Sequence, residues 1–118
     1  MNIKTKRIYK DADPQDGMRI MVDRLWPRGV SKANAKINLW VKNIAPSTEL
    51  RKWYNHDAKK WQEFKSHYFS ELDNNPKEIT NLLDQINDET VTFIFGSKEQ
   101  NLNNANALKE YIKTNIKR

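Results

Sequence analysis

The hydrophobic positions of the chain follow two rhythms. Two short apolar runs, Ile20-Met21-Val22 and Val91 to Phe95, are nearly continuous and stop abruptly, the first at Asp23 and the second at Gly96. Runs of this length with polar borders predict strands buried on both faces. Elsewhere the spacing is helical. Trp61, Phe64, Tyr68 and Leu72 recur at i, i+3, i+7 and i+11. Ile79, Leu82, Leu83 and Ile86 form a second stripe, and Ala105, Leu108, Ile112 and Ile116 a third. Each stripe predicts an amphipathic helix that buries one face. A shorter helix after Ser47 places Leu50, Trp53 and Tyr54 on one face and ends near Asn55-His56. Ile3 to Tyr9 mixes β-prone and basic residues and predicts a first strand. Ile37, Leu39 and Val41 alternate with Trp40 and Lys42 as in a short edge strand.

Polar punctuation fits these elements. Asp-Pro and Asp-Gly dipeptides between Asp11 and Gly17 predict a turn. Ser31, Ser47 and Asp57 stand where N-caps belong, and Asn75-Pro76-Lys77-Glu78 combines a cap, a proline at the first helical position and an acid at the third. Lys113, Lys117 and Arg118 suit the negative end of the last helix. Strands joined by helical crossovers predict a small single-domain layered α/β fold over residues 1–118, with a short, mostly parallel or mixed sheet and helices packed on it. In such sheets ligands lie beyond the carboxyl ends of the strands. If the strands are parallel, Asp23-Arg24 and Gly96-Ser97 share one end, beside a helix start rich in asparagine.

The stretch Arg19 to Ser31 is the densest in chemistry. The strand delivers Asp23-Arg24, and Leu25-Trp26-Pro27-Arg28-Gly29 follows. Pro27 fixes its own φ and biases Trp26 toward an extended backbone. Gly29 permits a positive φ or a close backbone approach. Arg24 and Arg28 would then present guanidinium forks, which match carboxylate and phosphate geometry. The competing interpretation is a structural Asp23–Arg24 pair with Trp26 as a core plug. Trp53 and Trp61 lie on apolar helix faces and read as core, whereas Trp26 is the best candidate for stacking on a ligand. His56, in a connection between helices, is a candidate acid or base near neutral pH. The alternative for His56 is a helix-end residue that meets only the preceding C-terminus.

Charge sharpens this picture. The net charge is +6. Residues 1–42 hold ten basic and four acidic residues, and residues 43–118 hold eleven of each, so the whole excess lies in the first third. No acid occurs between Asp23 and Glu49, and a one-sign stretch creates a positive local field. Two histidines distant in sequence, no cysteine and no clustered carboxylates predict no metal site. The glycines form no nucleotide-cofactor fingerprint, so no cofactor is expected. The absence of cysteine, of any apolar run near the ~20 residues that span a bilayer, and of a secretory h-region predicts a cytoplasmic protein without a membrane partner.

The segment Met18-Arg-Ile-Met-Val-Asp-Arg-Leu-Trp-Pro-Arg-Gly-Val-Ser31 resembles the signature of the YeaO-like proteins, a bacterial family of unknown function. The resemblance continues through Leu39 to Lys42, Ile44 to Ser47, Leu50 to Tyr54, His56-Asp57, Trp61 and Phe64, and returns at Phe93 to Gly96 and Asn103 to Ala105. It departs at Lys98-Glu99, where family members often carry Lys-Asp. It implies a compact intracellular α/β domain and brings no reaction with it.

Two functions follow from the residues. The first is a small enzyme or binding domain for an anionic, phosphorylated or nucleotide-like ligand at the Asp23–Gly29 loop. Asp23 and His56 are its acid/base candidates, Arg24, Arg28 and Arg51 its anion clamps, Trp26 its stacking wall, and Gly29 its close approach. The second is a nucleic-acid-binding module that uses the basic N-terminal third. No helix carries a recognition-type face, and the first reading is preferred.

Overall fold

A computed structural model describes residues 1–86 and 89–116. Four strands, Asn2–Arg7 (β1), Met18–Met21 (β2), Leu39–Trp40 (β3) and Thr90–Phe95 (β4), form one sheet in the order β1-β4-β2-β3. Every pairing is parallel. Phe93 of β4 lies between Thr5 of β1 and Ile20 of β2, so the apolar runs read from the sequence occupy the centre. The two runs are buried throughout, from Ile20 to Val22 and from Val91 to Phe95, as central strands covered on both faces must be.

Five helices connect or flank the strands: Lys32–Ala35 (α1), Thr48–Tyr54 (α2), Trp61–Asp73 (α3), Pro76–Gln85 (α4) and Asn104–Asn115 (α5). The main core lies between one face of the sheet (Ile3, Ile20, Val22, Val91, Phe93, Phe95) and α2 to α5. A smaller cluster on the other face joins Ile8, Met21 and Ile94 to Ala35 of α1, with Trp26, Val30, Ile37 and Trp40 packed around it.

The polar punctuation acts much as its residue types suggest. Ser31, Ser47 and Asp57 each accept a hydrogen bond from a backbone N–H of the following turn. The Ser47 hydroxyl also donates to Glu71 Oε2 of α3 at 2.6 Å, which ties α2 to α3. Asn75 is a correction. It precedes α4, but its side chain makes no cap and donates instead to the Asn43 carbonyl at 3.3 Å. Asn75 thus holds α4 against the 3₁₀ turn over Lys42–Ile44. Of the expected cations at the end of α5, Lys117 and Arg118 lie outside the described residues.

Two tryptophans also differ from expectation. Trp53 is 38% exposed and lies against the His67 ring and the Lys60 ammonium. Trp61 is half-buried at the rim, stacked on Phe64. In α2 the core takes the Leu50 and Tyr54 side of the predicted face and leaves Trp53 at its edge. No helix among the described residues is long and apolar enough to cross a membrane.

Candidate functional site

Parallel strands place all their carboxyl ends at one edge. The chain leaves β2 toward α1, on the thinly covered face, and leaves β4 toward α5, on the helical face. Connections that diverge to opposite faces open a crevice between neighbouring strand ends. A cleft of about 190 Å³ lies there.

Asp23 stands at its base. Its Oδ2 accepts the Gly96 N–H at 2.8 Å, and its Oδ1 accepts the Asn104 side-chain amide at 3.0 Å. The carboxyl thereby bridges the ends of β2 and β4 to the first turn of α5. The fit at Gly96 is close, because a Cβ there would lie 3.3 Å from Asp23 Oδ2 and 3.2 Å from Pro27 Cγ. Burial pushes the Asp23 carboxyl above the usual carboxylate range, against the opposing pull of Asn104, the Gly96 amide and the Arg51 charge. A carboxyl that keeps its proton to higher pH is suited to acid work and adds less negative charge to the cleft.

Arg24 forms one wall. It makes no pair with Asp23. Its Nη2 donates to the Ala45 and Pro46 carbonyls at 3.2 and 3.4 Å, and its Nε is buried without an acceptor. Arg51 of α2 lies on the opposite rim, exposed, near enough for its charge to act on Asp23. His56 follows α2 with φ at 57°, immediately after Asn55 at 45°. Two successive non-glycine residues in the left-handed region are uncommon and costly. The conformation turns the chain at the cleft mouth, where His56 lies 6.3 Å from the Tyr54 ring. Leu25, Tyr54, Phe64 and Leu102 supply an apolar lining, and Asn103 and Asn104 bring the positive end of α5 to the far side.

The structure therefore brings Asp23, Arg24, Arg51 and His56 to one cleft and leaves Trp26, Arg28 and Gly29 outside its lining. Trp26 packs edge-on against Trp40 at 5.3 Å and donates its indole N–H to the Val30 carbonyl at 2.8 Å. Gly29 has φ at 75° with open space around it, so it serves the turn. Arg28 is exposed, and its carbonyl accepts the Tyr9 hydroxyl at 3.0 Å. The reason is that Pro27 packs on Gly96 and sends the following loop away from the crevice, over the other face.

Sequence reasoning did not single out Tyr54, Leu102 or Asn104 as cleft residues. Only the asparagine-rich start of α5 hinted at the last. Glu99, at the position of departure from the YeaO-like pattern, accepts the Asn101 and Leu102 amides. These hydrogen bonds hold its carboxyl below the usual range, so it caps the turn before α5. Among the described residues no group of three or more His, Asp or Glu side chains could hold a metal ion.

A family model described as "Inactive DUF488-N3 subclade" matches residues 2–118. The uncharacterised protein YeaO of Escherichia coli is 37% identical over 114 residues, which cover 97% of this chain and 99% of that one. Uncharacterised proteins of Mycobacterium bovis and Mycobacterium tuberculosis are 46% identical over 70 residues, and the match spans 59% of this chain and 59% of each relative's length. No solved structure matches.

Proposed function

The chain belongs to the DUF488-N3, YeaO-like family of uncharacterised bacterial proteins, and from the cleft we propose that it is a cytoplasmic binding protein for a small anionic molecule with a compact apolar body. The observation that carries this reading is the convergence of Arg24, Arg51 and the start of α5 on an apolar-lined crevice. Guanidinium groups and a helix N-terminus both favour phosphate or carboxylate oxygens. The volume of about 190 Å³ is below the ~300–1,000 Å³ of sites for drug-sized ligands, so the ligand is small. In this reading Asp23 and His56 orient it. The word "inactive" in the family's description supports binding rather than turnover.

Phenyl phosphate combines an anionic head with an apolar ring and serves as a probe. It should raise the melting temperature of the wild type in proportion to the logarithm of its concentration, because it binds the folded state alone. Arg51→Ala, at an exposed position, should melt close to wild type without ligand and lose most of that rise. Arg28→Ala should keep it. A rise that survives in Arg51→Ala and disappears in Arg28→Ala would return the site to the loop.

The cleft also predicts a pH dependence. Asp23 has a raised folded-state pKa, so it acquires negative charge only as the pH climbs through that value. Affinity for benzenesulfonate, whose own charge is constant, should therefore fall as pH rises above the ordinary carboxylate range. Calorimetric titrations across pH check this, and Asp23→Ala should flatten the decline. An affinity that rises with pH would contradict the assignment.

A further inference from the structure

The face of the sheet opposite the long helices carries a second pattern that the cleft does not use. Trp40 sits on the edge strand β3 and packs against Trp26. At the other edge, Tyr9 follows β1 and donates its hydroxyl to the Arg28 carbonyl. The loop that holds Trp26 and Arg28 thus runs from the β3 side to the β1 side, a width of three strand spacings, roughly 14 Å. Along this strip each aromatic ring carries a cation. Lys42 Nζ lies 4.1 Å from the Trp40 ring centre and Lys32 Nζ 5.9 Å from that of Trp26; Arg7 Cζ lies 4.4 Å from that of Tyr9, with its Nε held by the Ser97 carbonyl at 3.0 Å.

The rings are fixed rather than loose. Trp26 donates its indole N–H to the Val30 carbonyl at 2.8 Å, and Trp40 donates its own to the Asp23 carbonyl at 2.7 Å. Both polar tips are satisfied internally, which leaves the half-exposed ring surfaces as the outward feature. Tyr9 is 47% exposed. The strip takes most of its residues from the segment between Asp23 and Glu49, which contains five basic residues and no acid. None of its aromatic or cationic residues lines the cleft.

We propose that this strip binds single-stranded nucleic acid without regard to sequence, with bases stacked on the rings and phosphates paired with Arg28, Lys32 and Lys42. Alternating aromatic faces and cations are what an unpaired strand requires, since every base has a stacking face and every nucleotide a negative charge. A duplex hides its base faces, and the one helix on this side, α1, has four residues, too few to read a groove. An acidic peptide would use the cations but not the rings.

Fluorescence anisotropy with a short labelled oligothymidine and a short labelled oligouridine tests the proposal. The wild type should bind at least one of them at low salt and release it as salt rises. Lys32→Glu/Lys42→Glu, both at outward positions, should weaken binding at least tenfold and flatten the log–log salt slope by about 1.4, two contacts at ~0.7 each for a single strand. Tyr9→Ala should weaken binding about fivefold or more through lost stacking. Arg51→Ala should bind as wild type, which separates this surface from the cleft. Circular dichroism melting of each variant confirms folding. The proposal is overturned if neither oligonucleotide binds at low salt, or if the double charge reversal leaves affinity unchanged. It is equally overturned if a duplex of equal length binds as tightly, or if oligoglutamate displaces the strand as well as unlabelled oligonucleotide does.

Discussion

Gly17→Ala should remove a large share of the stability of this protein. Gly17 has φ at 65° and ψ at −137°, a region that L side chains almost never occupy and whose strain is about 1–3 kcal/mol. A Cβ there would also sit 2.1 Å from the Thr90 carbonyl oxygen and 2.7 Å from its carbon. Those atoms belong to the backbone at the start of β4, at the centre of the sheet, and have nowhere to move. Overpacking adds roughly 1–3 kcal/mol, so a total near 4 kcal/mol is expected, against the ~5–15 kcal/mol that holds a domain together. Gly29→Ala is the natural control. It shares the positive φ but faces open space, and should cost only about 1 kcal/mol. Urea denaturation of the two variants should separate them by several-fold in lost stability. Equal losses would mean that conformation alone, not the contact with Thr90, governs position 17.

Asp16→Ala should be nearly as damaging. Asp16 and Arg19 are each only 4% exposed. The Asp16 carboxylate accepts Arg19 Nη1 at 2.6 Å and the Asp13 amide at 3.0 Å, and Lys6 Nζ approaches it to 2.8 Å. Arg19 donates through its other two nitrogens to the Ala35 carbonyl, at 3.1 Å through Nε and 2.8 Å through Nη2. The pair therefore ties the β1–β2 turn to α1 beneath the sheet. Truncating the acid strands a buried guanidinium, a loss of about 3–5 kcal/mol. Replacing both partners, as in Asp16→Leu/Arg19→Met, should recover much of that loss. The same group sets an acid limit. Burial pushes the Asp16 carboxyl up, but hydrogen bonds from Lys6, the Asp13 amide and Arg19 outweigh it and leave it below the usual value. A lowered folded-state pKa means that its contribution is present above the unfolded value and is lost as pH falls through the folded one. Asp16→Ala should accordingly show a shallower fall in melting temperature in that acidic range than the wild type.

The sheet and long helices were legible because each depends on a periodic apolar signal. Val91 to Phe95 and the Phe64, Tyr68, Leu72 stripe are buried as their spacing predicts. The structural Asp–Arg pair was legible in kind but not in place. The competing interpretation named Asp23-Arg24 as such a pair, yet Asp16–Arg19 is the one that forms, because strand β2 carries Arg19 inward under the turn that holds Asp16. Trp26 and Arg28 adjoin Asp23 in sequence, but the packing of Pro27 on Gly96 sends them across the other face. Arg51, His56 and Asn104 meet Asp23 only through the order of the strands, which no local pattern encodes.

In the proposed function, a small anion binds in the crevice between the ends of β2 and β4. The most direct measurement is a titration of ¹⁵N-labelled protein with phenyl phosphate, following each backbone amide. The account predicts that the Gly96, Ser97, Asn103 and Asn104 amides shift together with that of Arg51, on one saturating curve, and that Arg51→Ala abolishes the curve. Shifts confined to Trp26, Arg28 and the residues around them, with the Gly96 and Asn104 amides unmoved at saturation, would contradict it.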